Sequence, residues 1–242
     1  MFENVKIIKD SDAGPVEEHT YKYELLLPDF LAKWDVWDYW ERERFESIIG
    51  NIGMNDVFFD VGTEVGWTGA LIAKYTQALM VLVEPTPEFW PNIKATWEAN
   101  NIKNPLACYV GLVGSIISAD ANRSFGTWPV CSVGELIPKL AYQYIHEHSE
   151  GVPQLSIDKF VELTGIIPTA INIDVEGAEA LVLDGAYDTL REKHPLVWVS
   201  IHPDLMARDY NDKPESLHSY MKDLGYAGEH LATDHEEHWM FY

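Results

Sequence analysis

Hydrophobic blocks recur along the middle of the chain with amphipathic stretches between them. DVFFDV (56–61), LMVLVE (79–84), PLACYVGLV (105–113), TAINIDV (169–175) and LVWVSI (196–201) have the length and β-branched content of buried strands. Helical spacing fills the gaps, through about Tyr75, from Glu88 to Ala99, and from Ala178 to about Arg191 with a break at Gly185. A final helix, PESLHSYMKDLG, leads into two short strands near 226–232 and 238–242. Strands separated by helices predict an α/β fold with a parallel, doubly wound sheet, which binds ligands beyond the carboxyl ends of its strands.

The pattern differs at two places. Residues 4–9 and 21–27 read as two strands around SDAGP, a β hairpin forming an N-terminal extension over residues 1–33 and lying beside the core. Next, WDVWDYWERERFESIIG sets Trp37, Trp40, Arg44 with Phe45, and Ile48 near helical spacing, with Gly50 as a stop. Residues 114–155 break the alternation with a polar stretch and a predicted helix, ELIPKLAYQYIHEHSE, and are expected to form a lid or substrate wall. Within it, Trp128 is a candidate to stack on a sugar face or to pack the segment down, whereas His146 and His148 read as solvated residues at a helix end. With no linker-like composition elsewhere, residues 1–242 are expected to form a single domain.

Charge narrows the partners. The 17 Lys and Arg stand against 39 Asp and Glu, a formal charge of -22, and a field of that sign repels a phosphate backbone. Nucleic acid is an unsuitable partner on this ground; neutral or cationic ligands are favoured. Cys108 and Cys131 show no metal-type spacing, and nothing points to a disulfide framework. The start lacks a signal-peptide pattern and no apolar run reaches membrane-spanning length, so a soluble cytoplasmic protein away from membranes is expected.

The chemistry begins at FFDVGTEVGWTG. Gly62 and Gly66 bare the backbone where a strand turns into a helix, but the spacing is not the G-x-G-x-x-G of dinucleotide enzymes, which disfavours a nicotinamide oxidoreductase. Asp60 and Glu64 raise the cost of a phosphate there and suit a cationic or zwitterionic ligand. Glu84 closes the second strand, where a carboxylate can accept both hydroxyl protons of a ribose. A phosphate-free adenosine carrying positive charge fits these residues, and S-adenosylmethionine is such a ligand.

The blocks FFDVGTEVGWTG, VLVEPTPEFWPNIKATWEANN and INIDVEGAEALVLDGAYDTL resemble, in order and spacing, those of the FkbM-type S-adenosylmethionine-dependent methyltransferases. WERERF is similar to the Trp-Glu helix that often precedes the family's first block, and the likeness covers about residues 34–205. The resemblance implies a Rossmann-like class I methyltransferase fold, a seven-stranded mostly parallel sheet with its last strand antiparallel. It also implies O-methylation, usually of a hydroxyl on a saccharide or glycosylated small molecule. Asp60, Gly62 and Gly66 would line the methionine end of the cofactor, Glu84 the ribose, and Asp174 the floor near the sulfonium, with Glu176 and Glu179 in the same block. Where the family usually has Ala-Asn this chain has Thr63-Glu64, and Glu64 is placed to meet the cofactor's ammonium instead.

An alcohol acceptor must lose a proton, so a base or a bound metal is needed near the sulfonium. INIDVEG and VSIHPD end neighbouring strands, and in the methyltransferase topology the TDHEEH turn lies at the same edge, bringing Asp174, His202 and His235 together. His202 or His235 is the expected general base, His202 first with His235 in support. Alternatively, some of Asp174, His202, Asp204, Asp234, His235 and His238 hold a divalent metal. Two rivals to a methyltransferase remain: a metal-dependent hydrolase using the His/Asp cluster, and a noncatalytic S-adenosylmethionine-binding domain.

Overall fold

The computed structural model describes residues 2–9, 21–32, 41–117, 122–125, 127–129 and 152–242. Trp37, Trp40, Cys131, His146, His148 and most of the segment 114–155, with its predicted helix, lie outside the described residues.

The N-terminal strands β1 (Phe2–Lys9) and β2 (Tyr21–Pro28) pair antiparallel, followed by a short helical turn, α1 (Asp29–Ala32). Helix α2 (Arg42–Asn51) leads into the repeating unit: β3 (Val57–Val61), α3 (Trp67–Thr76), β4 (Leu79–Val83), α4 (Trp90–Ala99) and β5 (Ala107–Val110). After β6 (Leu112–Val113), β7 (Asn122–Phe125) and β8 (Gln154–Leu155) come α5 (Ile157–Thr164), β9 (Ala170–Ile173), α6 (Glu179–Asp184) and α7 (Tyr187–Lys193). The chain closes with β10 (Leu196–Ile201), α8 (Pro203–Tyr210), α9 (Pro214–Asp223), β11 (Gly228–Thr233) and β12 (Glu237–Phe241).

The main sheet runs β11-β12-β10-β9-β3-β4-β5-β7. Its first seven strands are those read from the sequence. β3, β4, β5, β9 and β10 are mutually parallel, and β12 runs antiparallel to β10. β7 adds an eighth, antiparallel strand at the β5 edge. The chain steps outward from β3 to β5 on one side, then returns to β9 and β10 on the other, so the order reverses between β3 and β9. That reversal opens a crevice at the carboxyl ends, where a doubly wound sheet takes its ligand.

Both faces of the sheet are covered, which is why its strands are almost continuously apolar. Successive residues of a strand point to opposite faces. Phe58, Leu82 and Trp198 therefore pack with Leu71 and Trp97 on one side, and Phe59, Val83 and Val199 pack with Leu183, Met206 and Leu217 on the other. The hairpin lies against the first of these layers. Leu25 and Leu27 are fully buried, and the Asn100 side chain accepts from the Leu26 N–H (2.9 Å) and donates to its carbonyl (2.8 Å).

Three details depart from the pattern reading. Within the stretch read as one helix, WDVWDYWERERFESIIG, α2 begins at Arg42 behind Glu41, whose φ of +52° is left-handed. The block 105–113 divides into β5 and β6 at Gly111, where a side chain would lie 2.6 Å from the Pro153 carbonyl. Helices α5 and α8 were not anticipated; the first is capped by Ser156, whose Oγ accepts the Lys159 N–H at 3.0 Å, and the second starts at Pro203 directly after His202. Among the described residues no helix is long and apolar enough to cross a membrane.

Candidate active site

The loop after β3 folds tightly against its neighbours. Gly62 has φ +89°, and a Cβ there would lie 1.7 Å from the Asp174 carbonyl oxygen, so the position accepts only glycine. The Gly62 and Thr63 N–H groups both donate to the Val83 carbonyl at 3.0 Å, which commits them to the protein rather than to a phosphate. Glu64, at φ +50°, donates its N–H to Glu84 Oε2 at 2.8 Å, and Thr86 donates its own to Glu84 Oε1 at 2.7 Å. The Glu84 carboxylate thereby joins the loops after β3 and β4. It is 4% exposed, and burial pushes its pKa up to about 7 against the pull of those two N–H groups. Burial, reinforced by the negative charge of Glu84, pushes Glu64 up to about 8.

Asp60 and Gly66 support this loop from behind. Asp60 is fully buried, accepts from Asn172 Nδ2 at 3.0 Å, and is pushed by burial up to about 6. Its other oxygen faces Gly69, where a Cβ would stand 2.7 Å away. Gly66 packs on Ile93, 2.8 Å from where a side chain would begin. Neither residue lines the cavity, although both were expected at the cofactor's methionine end.

The second half of the site gathers around His202, which follows β10 and precedes α8. Nδ1 lies 2.9 Å from Glu179 Oε1, which also accepts the Gly177 N–H at 2.8 Å. Nε2 faces three carboxylates: Glu236 Oε2 in close contact, Glu176 Oε2 at 3.5 Å and Asp174 Oδ1 at 3.8 Å. Burial works against charge on the ring, but Glu179, Glu236 and Asp174 outweigh it and push the pKa up to about 12. Burial likewise opposes charge on Glu236, yet His202 and, behind it, Arg44 lower its pKa to about 2. Glu176, less enclosed, is raised by burial to about 7. Burial and then the charge of Glu236 raise Asp174.

Arg44 carries this acidic edge from below. It stands on α2, 1% exposed, with Nη1 donating to Ser200 Oγ (2.7 Å), Asp174 Oδ2 (3.0 Å) and Asn172 Oδ1 (3.4 Å). Nη2 meets Glu41 in a close ion pair. Ser200 Oγ also lies 3.1 Å from Nδ1 of the fully buried His238, whose Nε2 reaches Asp234 Oδ1 at 3.1 Å. Burial, then Arg44, lowers the His238 pKa. His235, half-exposed at the turn, sets Nδ1 2.9 Å from Asp234 Oδ1 and Nε2 3.3 Å from Glu236 Oε1.

One cavity of about 830 Å³ joins the two halves. Gly62, Glu64, Glu84 and Thr86 line one end, and Asp174, Glu176, His202, His235 and Glu236 the other. Gly114, Ser115, Ile116 and Gln154 also line it. Among the described residues no Lys or Arg lines it. The volume is that of a small-molecule site. Asp204 is exposed on α8 and takes no part in the cavity, and Asp234 and His238 stand behind its rim. Trp128 packs edge-on against Trp97 with ring centres 5.8 Å apart, away from the cavity.

Sequence reasoning missed Arg44, Glu41 and Glu236. A charged residue inside the aromatic stripe of α2 was a readable sign of a buried partner for Arg44. Nothing in TDHEEH distinguishes Glu236 from its neighbours, because only the folding of the turn before β12 onto the sheet edge buries it.

Comparison with known proteins places these observations in a family. The family model described as the Methyltransferase FkbM domain matches residues 51–227. Among solved structures, the FkbM methyltransferase of Methylobacillus flagellatus KT aligns with a TM-score of 0.55 at 16% identity, over 79% of this chain and 44% of that one. The chain thus spans less than half the length of that protein, and the likeness is one of fold. Two further structures align at TM-scores below 0.5. M. jannaschii TYW2 in complex with AdoMet gives 0.44 at 13% identity, over 91% of this chain and 82% of that one. A putative caffeoyl-CoA O-methyltransferase from Staphylococcus aureus gives 0.47 at 12% identity, over 83% of each chain. A comparison with curated protein sequences gives no match.

Proposed function

Since the chain belongs to the FkbM methyltransferase family, whose methyl donor is S-adenosylmethionine, we propose that it methylates a hydroxyl of an uncharged, hydroxyl-rich acceptor, a saccharide or a glycosylated small molecule. The observation that carries this reading is the charge of the cavity lining: among apolar neighbours its charged members are carboxylates, with two histidines, and none of its described lining residues is Lys or Arg. A phosphorylated or carboxylated acceptor would enter against that field, whereas a neutral polyol meets a dense set of hydrogen-bond acceptors.

The residues present fit the donor. When bound, S-adenosylmethionine supplies a methyl group activated by a sulfonium. Glu84 retains acceptor capacity beyond its two N–H bonds and suits the ribose hydroxyls. Glu64 supplies a carboxylate for the ammonium. Two carboxylates raised by burial favour a cationic ligand, because its charge restores what desolvation removes. Gly62 and Asp174, whose backbones touch, hold the floor between this end and the acidic edge.

Geometry favours His235 over His202 as the group that takes the acceptor's proton. His202 is the more enclosed ring, with Nδ1 held by Glu179 and Nε2 crowded by Glu236, Glu176 and Asp174. His235 lies on the cavity rim, half-exposed, with Nδ1 turned to Asp234 and Nε2 3.3 Å from the single oxygen Glu236 Oε1, so its ring is the less enclosed of the two and the one an acceptor can reach. His202 then serves the site by ordering the carboxylates around it.

A methyl-transfer assay followed by mass spectrometry tests the reading, with neutral saccharides and glycosides set against RNA and carboxylic acids. Transfer to the neutral hydroxylated acceptors is expected; transfer confined to RNA or to acids would refute it. Calorimetry with S-adenosylhomocysteine separates a binding domain without turnover, which binds and transfers nothing, from a hydrolase, which does not bind.

A further inference from the structure

We propose that Asp174, Glu176, His202 and Glu236 form a divalent-cation site on the wall of the cavity, with Mn2+ as the best-matched ion. The geometry around His202 carries the inference. Its Nε2 is approached by Glu236 Oε2, by Glu176 Oε2 at 3.5 Å and by Asp174 Oδ1 at 3.8 Å. One ring nitrogen has one direction to offer, so it can satisfy one of three carboxylates and leaves the others facing each other.

Independent observations point to a cation at this place. Glu236 is 3% exposed, and its Oε2, turned into the cluster, makes no hydrogen bond of normal geometry although it touches the ring. On the far side of the imidazole, fully buried Glu179 holds Nδ1 at 2.9 Å, and its Oε1 is itself held by the Gly177 N–H. A histidine whose Nδ1–H is fixed by a buried carboxylate while Nε2 points at other acids is the arrangement in which imidazole binds metals. Arg44 neutralises only Asp174 Oδ2, which leaves Oδ1 directed at the cluster.

Ligand atoms of Asp174, His202 and Glu236 lie within 4.8 Å of one another. In an octahedral site with bonds of about 2.1 Å, neighbouring donors stand about 3 Å apart. The separations of these three therefore close onto an ion by side-chain movements of under about 1 Å, and Glu176, 3.5 Å from the His202 ring, stands at the edge of the group. Hard carboxylate oxygens with one imidazole suit Mn2+, and the cavity side leaves coordination positions open. Two neighbouring clusters are poorer candidates. Glu41, grouped with His235 and Glu236, is already paired with Arg44; Asp234, grouped with Glu236 and His238, accepts the His235 N–H at 2.6 Å and faces His238.

The open positions would take hydroxyl oxygens of the acceptor and ease loss of a proton from one of them. That role rests on the function proposed above; the site itself does not. Titration of the full chain with Mn2+, followed by loss of the free-ion electron paramagnetic resonance signal, tests the site without donor, acceptor or turnover. One ion per chain is expected. His202→Ala and Glu236→Gln should each weaken binding by tenfold or more. Glu176→Gln, at a half-exposed position that tolerates change, should weaken it several-fold, whereas Asp204→Asn on the exposed face of α8 should leave it unchanged. Absence of saturable binding, or binding indifferent to Glu176→Gln and Glu236→Gln in variants of native circular dichroism, would overturn the proposal. Either result leaves the methyl-transfer reading to its own assay.

Discussion

Replacing Arg44 with Met isolates the residue that holds the acidic edge together. The substitution keeps an unbranched apolar stem in the helix but removes a cation that is 1% exposed, leaving Glu41 and Asp174 without their shared counter-charge. It also removes the donor to Ser200 Oγ at 2.7 Å, at a residue that is itself fully buried. Breaking a buried ion pair by deleting one partner costs about 3 to 5 kcal/mol, because the remaining charge stays desolvated. Against a domain stability of about 5 to 15 kcal/mol, the variant should fold with a much reduced margin. At a urea slope of about 3 kcal/mol/M the unfolding midpoint should fall by about 1 to 2 M with the slope unchanged. Adding Glu41→Gln should recover part of the loss, since it removes one of the two orphaned charges. A midpoint shift below about 0.3 M for Arg44→Met would show that Arg44 does not compensate these acids, and no recovery in the double variant would show that Glu41 is not its partner.

Other expectations follow from the same geometry. Glu84→Gln must turn an amide NH2 toward one of two backbone donors, and calorimetry should find S-adenosylhomocysteine binding weakened by about 1 to 3 kcal/mol; unchanged affinity would remove Glu84 from the cofactor site. Burial raises the folded pKa of Glu84 to about 7 and of Glu64 to about 8, above the usual carboxylate values, so their contribution to stability is complete below about pH 4.5 and is lost as the pH rises toward 8. For Glu84 this amounts to about 3 kcal/mol, and thermal unfolding of the ligand-free protein should show a decline from pH 5 to 8 that Glu84→Gln flattens. Gly62→Ala should destabilise the fold by about 3 kcal/mol or more, measured by urea unfolding, because the new methyl meets the Asp174 carbonyl at a backbone angle that favours glycine. His235→Ala should lower kcat by about 100-fold or more while leaving S-adenosylhomocysteine affinity intact, and an unimpaired kcat would reject it as the proton acceptor.

The strand blocks, their order and the acids that end them were legible in the sequence because each depends on neighbours only a few residues away. A continuous apolar run such as VFFDV cannot avoid burial on both faces, and an acid closing it must sit at the carboxyl edge where the crevice opens. Glu84, Asp174 and His202 were found this way. Which way each side chain turns was decided by tertiary packing: Asp60 stands one residue before the end of the same strand, and its register opposite Asn172 points it behind the loop rather than into the cavity. His202 reads as a base in isolation, and only the convergence of residues 174, 176, 179 and 236 around its ring makes it an organising centre of carboxylates. Arg44 and Glu236, 192 positions apart in the chain, belong to one electrostatic cluster because α2 and the β12 turn fold onto the same sheet edge. Local chemistry is written along the chain; the balance of charge between distant segments exists only once the sheet has brought them into a shared, water-poor volume.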